Sequence, residues 1–129
     1  MNRRTFKRGS IDVSNHCNGR LQVSIEFEND TIWLTEREIA NLLGIYIQNV
    51  SSNIRAVFKR GELNQCDVER YHKGLYYYNF SMLISLIFKV RGGYSQLFRN
   101  WVERELSGGF AKRRHQTIFI QMSHQITES

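Results

Sequence analysis

A chain of 129 residues with 41% hydrophobic content has material for one packed core and too little for two. Its longest dense apolar run, Met82 to Val90, is far shorter than the roughly 20 residues a membrane-spanning helix needs. The net charge of +6 is unevenly placed: residues 21–107 hold ten Lys/Arg against ten Asp/Glu, and the excess lies in Arg3, Arg4, Lys7, Arg8, Arg20, Lys112, Arg113 and Arg114. Global charge is therefore a weak pointer to a polyanionic partner, and local clustering has to carry that argument.

Residues 1–19 show no sustained periodicity and read as a basic tail. The start, "MNRRTFKRGS", has no apolar stretch behind it and is not read as a secretory leader. Leu21, Val23, Ile25 and Phe27 alternate with polar residues as a half-buried strand does. Asn29-Asp30 suits a tight turn, and "TIWL" supplies a second strand, so an N-terminal β-hairpin is expected. In "TERE", Thr35 as N-cap with Glu38 three residues later forms a capping box, opening a helix from Glu36 to Leu43 that Gly44 stops.

A second helix is expected from Ile47 to Lys59. At about 100° per residue, Ile47, Val50, Ile54, Val57 and Phe58 fall within one arc. Residues 68–78 read as a hairpin turning at Lys73-Gly74. Asn79 or Ser81 caps a third helix running to about Val90, read either as a central core helix or as one with a side left for a homodimer. A fourth helix, from about Ser95 to Leu106, buries Leu97, Phe98, Trp101, Val102 and Leu106. The closing "TIFIQM" alternates like a strand with no evident partner. The expected architecture is α+β: a winged helix-turn-helix with N-terminal β-hairpin, wing hairpin and two C-terminal helices. It occupies residues 20–109, between a basic tail at 1–19 and a second at 110–129 that holds the short strand.

The chemistry is expected on the second helix. Helix, glycine turn and helix over residues 36–59 have helix-turn-helix spacing, with Ala40 small at the close approach and Gly44 at the turn. No acidic residue occurs from Ile39 to Gly61. The outward face carries Gln48 and Ser52, with Asn49 on one flank and Ser51 close to the apolar border, four residues whose amides and hydroxyls suit base edges; Arg55, Lys59 and Arg60 follow, which suit phosphates. Arg37 and the hairpin-tip Lys73 complete the set of expected DNA contacts, with Arg70 and His72 beside that tip. Tyr76, Tyr77 and Tyr78 read as cross-strand packing rather than a base-stacking platform.

On the segments "TIWLTEREIANLLGIYIQNVSSNIRAVFKRGEL", "YYNFSMLISLIFKV" and "FRNWVEREL" the chain resembles the RhuM-type virulence-associated protein family, over about residues 21–110. These are prokaryotic, often mobile-element-linked proteins taken to bind DNA. The resemblance implies a bacterial DNA-binding regulator, with contacts carried onto Gln48, Asn49, Ser52, Arg55 and Lys59. It departs from the family at Tyr46, where a Ser-type cap is usual, and in a shortened hairpin.

Double-stranded DNA is thus the expected partner; a protein-interaction module using the same surface is the alternative. No enzyme activity is expected. Asp67, Glu69, His72 and Lys73 are close in sequence, but placed on a strand His72 faces away from the two carboxylates, and no nucleophile elbow or phosphate-binding glycine loop occurs. His16, His72, His115 and His124 are scattered and the two cysteines lack metal spacing, so no metal, cofactor or small-molecule substrate is expected. Cys17 and Cys66 read as reduced thiols of a cytoplasmic protein.

Overall fold

A computed structural model of the chain describes residues 6–15, 21–107 and 117–122. The basic residues Arg3, Arg4, Arg20, Lys112, Arg113 and Arg114 lie outside them, as do Cys17, His16, His115 and His124. The architecture is mixed α+β, with five helices and two small antiparallel sheets. In chain order the elements are β1 (Ser10–Asn15), β2 (Leu21–Glu26), β3 (Trp33–Leu34), α1 (Glu36–Leu43), α2 (Ile47–Lys59), α3 (Gln65–Val68), β4 (Glu69–His72), β5 (Leu75–Asn79), α4 (Phe80–Lys89), α5 (Ser95–Ser107) and β6 (Thr117–Met122). Among the described residues no helix is long and apolar enough to cross a membrane.

One core joins all layers. Val23 and Ile25 of β2 pack with Ile39 and Leu43 of α1, Val50, Ile54 and Val57 of α2, Leu83, Leu86 and Ile87 of α4, and Phe98, Trp101 and Val102 of α5. Phe27 meets Phe80 edge to face at 5.2 Å, tying the first sheet to the start of α4.

The expected hairpin over residues 21–34 is present only as its turn. Asn29 (φ 54°) and Asp30 (φ 68°) both take positive φ, and Glu28 and Thr31 exchange backbone hydrogen bonds of 2.8 and 3.2 Å. The flanking strands then separate into different sheets. β2 sits between β1 and β6, with Val23 opposite both Val13 and Ile120. β3 instead pairs with β5, Leu34 opposite Tyr78. Two corrections follow. Residues 10–15 are a strand rather than part of a structureless tail, and residues 117–122 find their partner in β2, some 95 residues earlier. Long-range pairing satisfies more backbone groups on β2 than the short "TIWL" strand could.

The second sheet is ordered β3-β5-β4. Its hairpin turns at Lys73 (φ 49°) and Gly74 (φ 86°), the two positive-φ positions of a type I′ connection. Ahead of it lies α3, one turn capped by Asn64, whose side chain accepts from the Cys66 N–H at 3.0 Å. Asp67 is therefore helical, not on a strand with Glu69. Asn79 caps α4 through the Met82 N–H at 3.2 Å. Arg99 of α5 caps the other end, donating to the carbonyls of Ile87 and Val90 at 2.9 and 3.1 Å.

The α1–α2 pair is fastened at its joint. Thr35 and Glu38 form the capping box, the Glu38 N–H donating to Thr35 Oγ1 at 3.1 Å and the Thr35 N–H to Glu38 Oε1 at 2.9 Å. Gly44 ends α1 in the left-handed region (φ 69°), and the Ile45 N–H returns to the Ala40 carbonyl at 3.1 Å. The Leu43 carbonyl accepts from the Tyr94 N–H at 2.8 Å, which ties this turn to the start of α5. Gly93 makes that approach feasible: a Cβ there would stand 2.1 Å from the Leu43 oxygen, and its φ is +54°. Gly92 also has positive φ (+86°), but nothing lies within 4 Å of a Cβ built on it. Gly92→Ala should cost about 1 kcal/mol and Gly93→Ala at least about 3 kcal/mol, read from urea denaturation midpoints. Equal costs would mean that the joint is not tightly packed.

Candidate functional site

The solvent face of α2 is built by elimination. Val50, Ile54 and Val57 are buried and Ile47 and Phe58 half-buried, which fixes the rotation of the helix about its axis. Gln48, Asn49, Ser52, Arg55, Lys59 and Arg60 are then turned outward and exposed. Among the described residues the side chains of Gln48, Asn49, Arg55 and Lys59 have no hydrogen bond or ion pair. The helix itself occupies little of this polar surface. Ser52 Oγ lies 3.4 Å from the Asn49 carbonyl, and half-buried Asn53 donates to the same carbonyl at 2.8 Å. Tyr46 takes the N-cap position without a side-chain cap and is 80% exposed.

Ser51 differs from its neighbours. It is half-buried, and its hydroxyl donates to Glu36 Oε1 at 2.5 Å, joining α2 to the first turn of α1. Its expected role as a base reader conflicts with this commitment inside the fold. The bond also brings a carboxylate to the edge of a surface whose own sequence has none. Arg60 is exposed, 3.7 Å from Glu62, which Lys89 holds more closely at 2.7 Å. The Lys89 ammonium, and secondarily Arg60, keeps the Glu62 carboxyl below its ordinary range. Arg37 is exposed on α1 and Lys73 at the hairpin turn.

The β4–β5 hairpin lies beside this helix. Phe58 of α2 faces Tyr78 with ring centroids 6.4 Å apart. The Tyr78 hydroxyl donates to Glu69 at 2.9 Å, and Gln65 donates to the other Glu69 oxygen at 2.8 Å. Burial pushes the Tyr78 phenol above its usual range, and Glu69 adds to this by accepting its hydrogen bond and by its negative charge. The three tyrosines alternate. Tyr78 turns toward the helices and Tyr77 toward the opposite face, and both are buried. Tyr76 shares Tyr78's face but lies nearer the turn, beyond the helices, and packs on exposed Tyr71 at 4.9 Å.

Sequence reasoning missed what covers the outer face. Phe6 lies among His72, Tyr77 and Trp33 at 4.8, 5.0 and 6.0 Å, and the Arg70 guanidinium stacks over its ring at 4.1 Å. Arg8 follows: its guanidinium sits 4.8 Å from the Tyr77 centroid and bonds the Trp33 carbonyl at 3.2 Å, while its own carbonyl accepts from the Trp33 N–H at 2.9 Å. A second arm of the guanidinium pairs with Glu38. Residues 6–8 are thus a docked arm, and Arg8, Arg70 and His72 are packed against aromatic rings. The signal in the sequence was a single aromatic, Phe6, set among basic residues.

Asp67, Glu69, His72 and Lys73 do not converge: α3 holds Asp67, Glu69 is engaged by Gln65 and Tyr78, and His72 stacks on Phe6. Among the described residues no group of three or more His, Cys, Asp or Glu is placed to hold a metal ion. A groove of about 350 Å³ between β1 and α1 has Ile11, Val13, Leu34 and Leu42 in its walls, with Asp12 and Glu38 among its polar groups.

Comparisons with protein-family models, with curated proteins and with solved structures find no match for this chain.

Partial burial alone would raise the Glu38 carboxyl. The Arg8 guanidinium and the Thr35 backbone and hydroxyl outweigh it and hold the group below its ordinary value. A depressed folded-state value means that the stabilisation is complete above the ordinary carboxylate range and is lost as pH falls through the folded value. Unfolding free energy measured between about pH 6 and pH 3 should fall less steeply for Glu38→Gln than for the wild type. Parallel acid limbs would show that Arg8 and Thr35 do not together favour the ionised Glu38 carboxylate in the folded state.

Proposed function

We propose that this protein is a small winged helix-turn-helix DNA-binding protein, a regulator of transcription or of a mobile element, with α2 as the helix that enters the major groove. In this reading α1, the Gly44 turn and α2 are the helix-turn-helix, and the β4–β5 hairpin is the wing. The observation that carries it is the solvent face of α2: Gln48, Asn49, Arg55 and Lys59, whose side chains have no partner among the described residues, on a helix fixed by its buried side. Gln48, Asn49 and Ser52 are the base-edge readers, since Gln and Asn amides match the donor–acceptor pair of adenine. Ser51 is left out because Glu36 already holds its hydroxyl. Arg55, Lys59, Arg60 and, from α1, Arg37 are the phosphate contacts. The resemblance to the RhuM-type family agrees with this assignment.

The reading has a quantitative consequence. Four phosphate contacts give a log–log salt slope of about −3.6, so raising salt from about 50 to 200 mM weakens binding on the order of 10²-fold. Removing two of them in Arg55→Ala/Lys59→Ala should bring the slope to about −1.8. Fluorescence anisotropy on a mixed-sequence duplex measures both. Binding that ignores salt and both substitutions would exclude the DNA reading and turn the same surface over to a protein partner.

A further inference from the structure

We propose that the tip of the β4–β5 hairpin is an apolar wedge that enters the minor groove flanking the α2 footprint, unstacks a base step and bends the duplex; this rests on the DNA-binding reading above. The starting observation is an exposure that the fold does not explain. Tyr71, Leu75 and Tyr76 are 61%, 51% and 53% exposed, and they cluster around one two-residue turn. Isolated apolar side chains on a surface are ordinary, whereas three large ones at one hairpin tip mark a contact surface.

The rest of the hairpin is built to hold that tip still. Its outer face is clamped by Phe6, by Arg70 over the Phe6 ring and by Arg8 between Tyr77 and Glu38. Its inner face is anchored at the base by Tyr78 against Phe58 and by the Tyr78–Glu69 hydrogen bond. A stiff base with a bare apolar end can transmit force; a loose loop would fold its tyrosines onto the nearest surface instead.

Charge selects the partner. From Arg70 to Tyr77 the hairpin carries no acidic residue; Arg70 and His72 are stacked on Phe6, and Lys73 stands exposed at the turn. A cation at the tip of an aromatic wedge suits a phosphate-lined groove. The base of the hairpin packs against α2 through Phe58, and the tip is assigned to the minor groove beside the α2 footprint. Two strands about 4.8 Å apart, with side chains on both faces, are wider than a minor groove of about 6 Å. Entry therefore forces the groove open, and apolar side chains do so by unstacking a base step.

The test uses the full chain and a mixed-sequence duplex labelled with a donor and an acceptor at its two ends. Wild type should raise energy transfer at saturation, reporting a bend. Leu75→Ser/Tyr76→Ser should bind about tenfold more weakly with an unchanged salt slope and leave energy transfer at the free-duplex value. Leu75→Met/Tyr76→Phe, which keeps the apolar volume, should retain the bend. Urea denaturation of each variant confirms that these exposed positions leave the fold intact. A serine variant that bends the duplex as wild type does would overturn the wedge, as would a wild type that leaves it straight. In both cases salt-sensitive binding that depends on Arg55 and Lys59 would show that the DNA reading survives. Absence of any salt-sensitive binding by wild type would remove that reading and the wedge with it.

Discussion

The Glu38 carboxylate is the junction of the N-terminal arm, the start of α1 and the hairpin sheet. It closes the capping box with Thr35, which starts α1, and it pairs with Arg8, which brings the N-terminal arm down beside β3. Arg8 in turn exchanges hydrogen bonds with the backbone of Trp33, and Phe6 two residues earlier fills the outer face of the hairpin sheet. One carboxylate therefore links a helix start, a strand and the covering of a hairpin. An exposed ion pair alone would be worth little. Here the pair acts with backbone hydrogen bonds and ring stacking, so loss of the carboxylate loosens several contacts together.

The second constraint is the joint at Gly44 and Gly93. It ties the turn between α1 and α2 to the start of α5, because the Leu43 carbonyl accepts from the Tyr94 N–H. A recognition surface benefits from such pre-organisation, since the ordering cost is met on folding rather than on binding. Electrostatics then divide the α2 face. Glu36, held at Ser51, places negative charge beside the first turn of α2, while Arg55, Lys59 and Arg60 lie farther along. Anionic groups are favoured at the later turns and neutral ones at the first. With a screening length of about 8–10 Å, this local arrangement matters more than the chain's net charge of +6.

Local elements were legible in the sequence; long-range ones were not. The capping box, the glycine stop and the 3.6-residue repeat placed α1 and α2 at the bounds the structure gives them, and Lys73-Gly74 marked its turn. Each of these signals is carried within a few residues. β1 was passed over although Ile11 and Val13 alternate with Ser10, Asp12 and Ser14, because so short a pattern inside a basic segment reads as tail. Its pairing with β2, and that of β6 with β2, depends on residues far apart in the chain. Three consecutive tyrosines show no alternation for a physical reason: the arm covers one face of the hairpin and the helices the other, so period two leaves no solvent side near its base. On the candidate site, the helical wheel gave the outward face correctly but could not see that Glu36 claims Ser51. Nor could it see that Arg8 and Arg70 are held against aromatic rings.

The central claim is that the outward face of α2 is where nucleic acid binds. Amide chemical-shift mapping during titration with duplex DNA tests it residue by residue. The account predicts perturbations at Gln48, Asn49, Ser52, Arg55 and Lys59 and at the hairpin turn around Lys73, with the exposed face of α5 unmoved. Perturbations centred on α5, or on the groove between β1 and α1, with α2 silent, would contradict it.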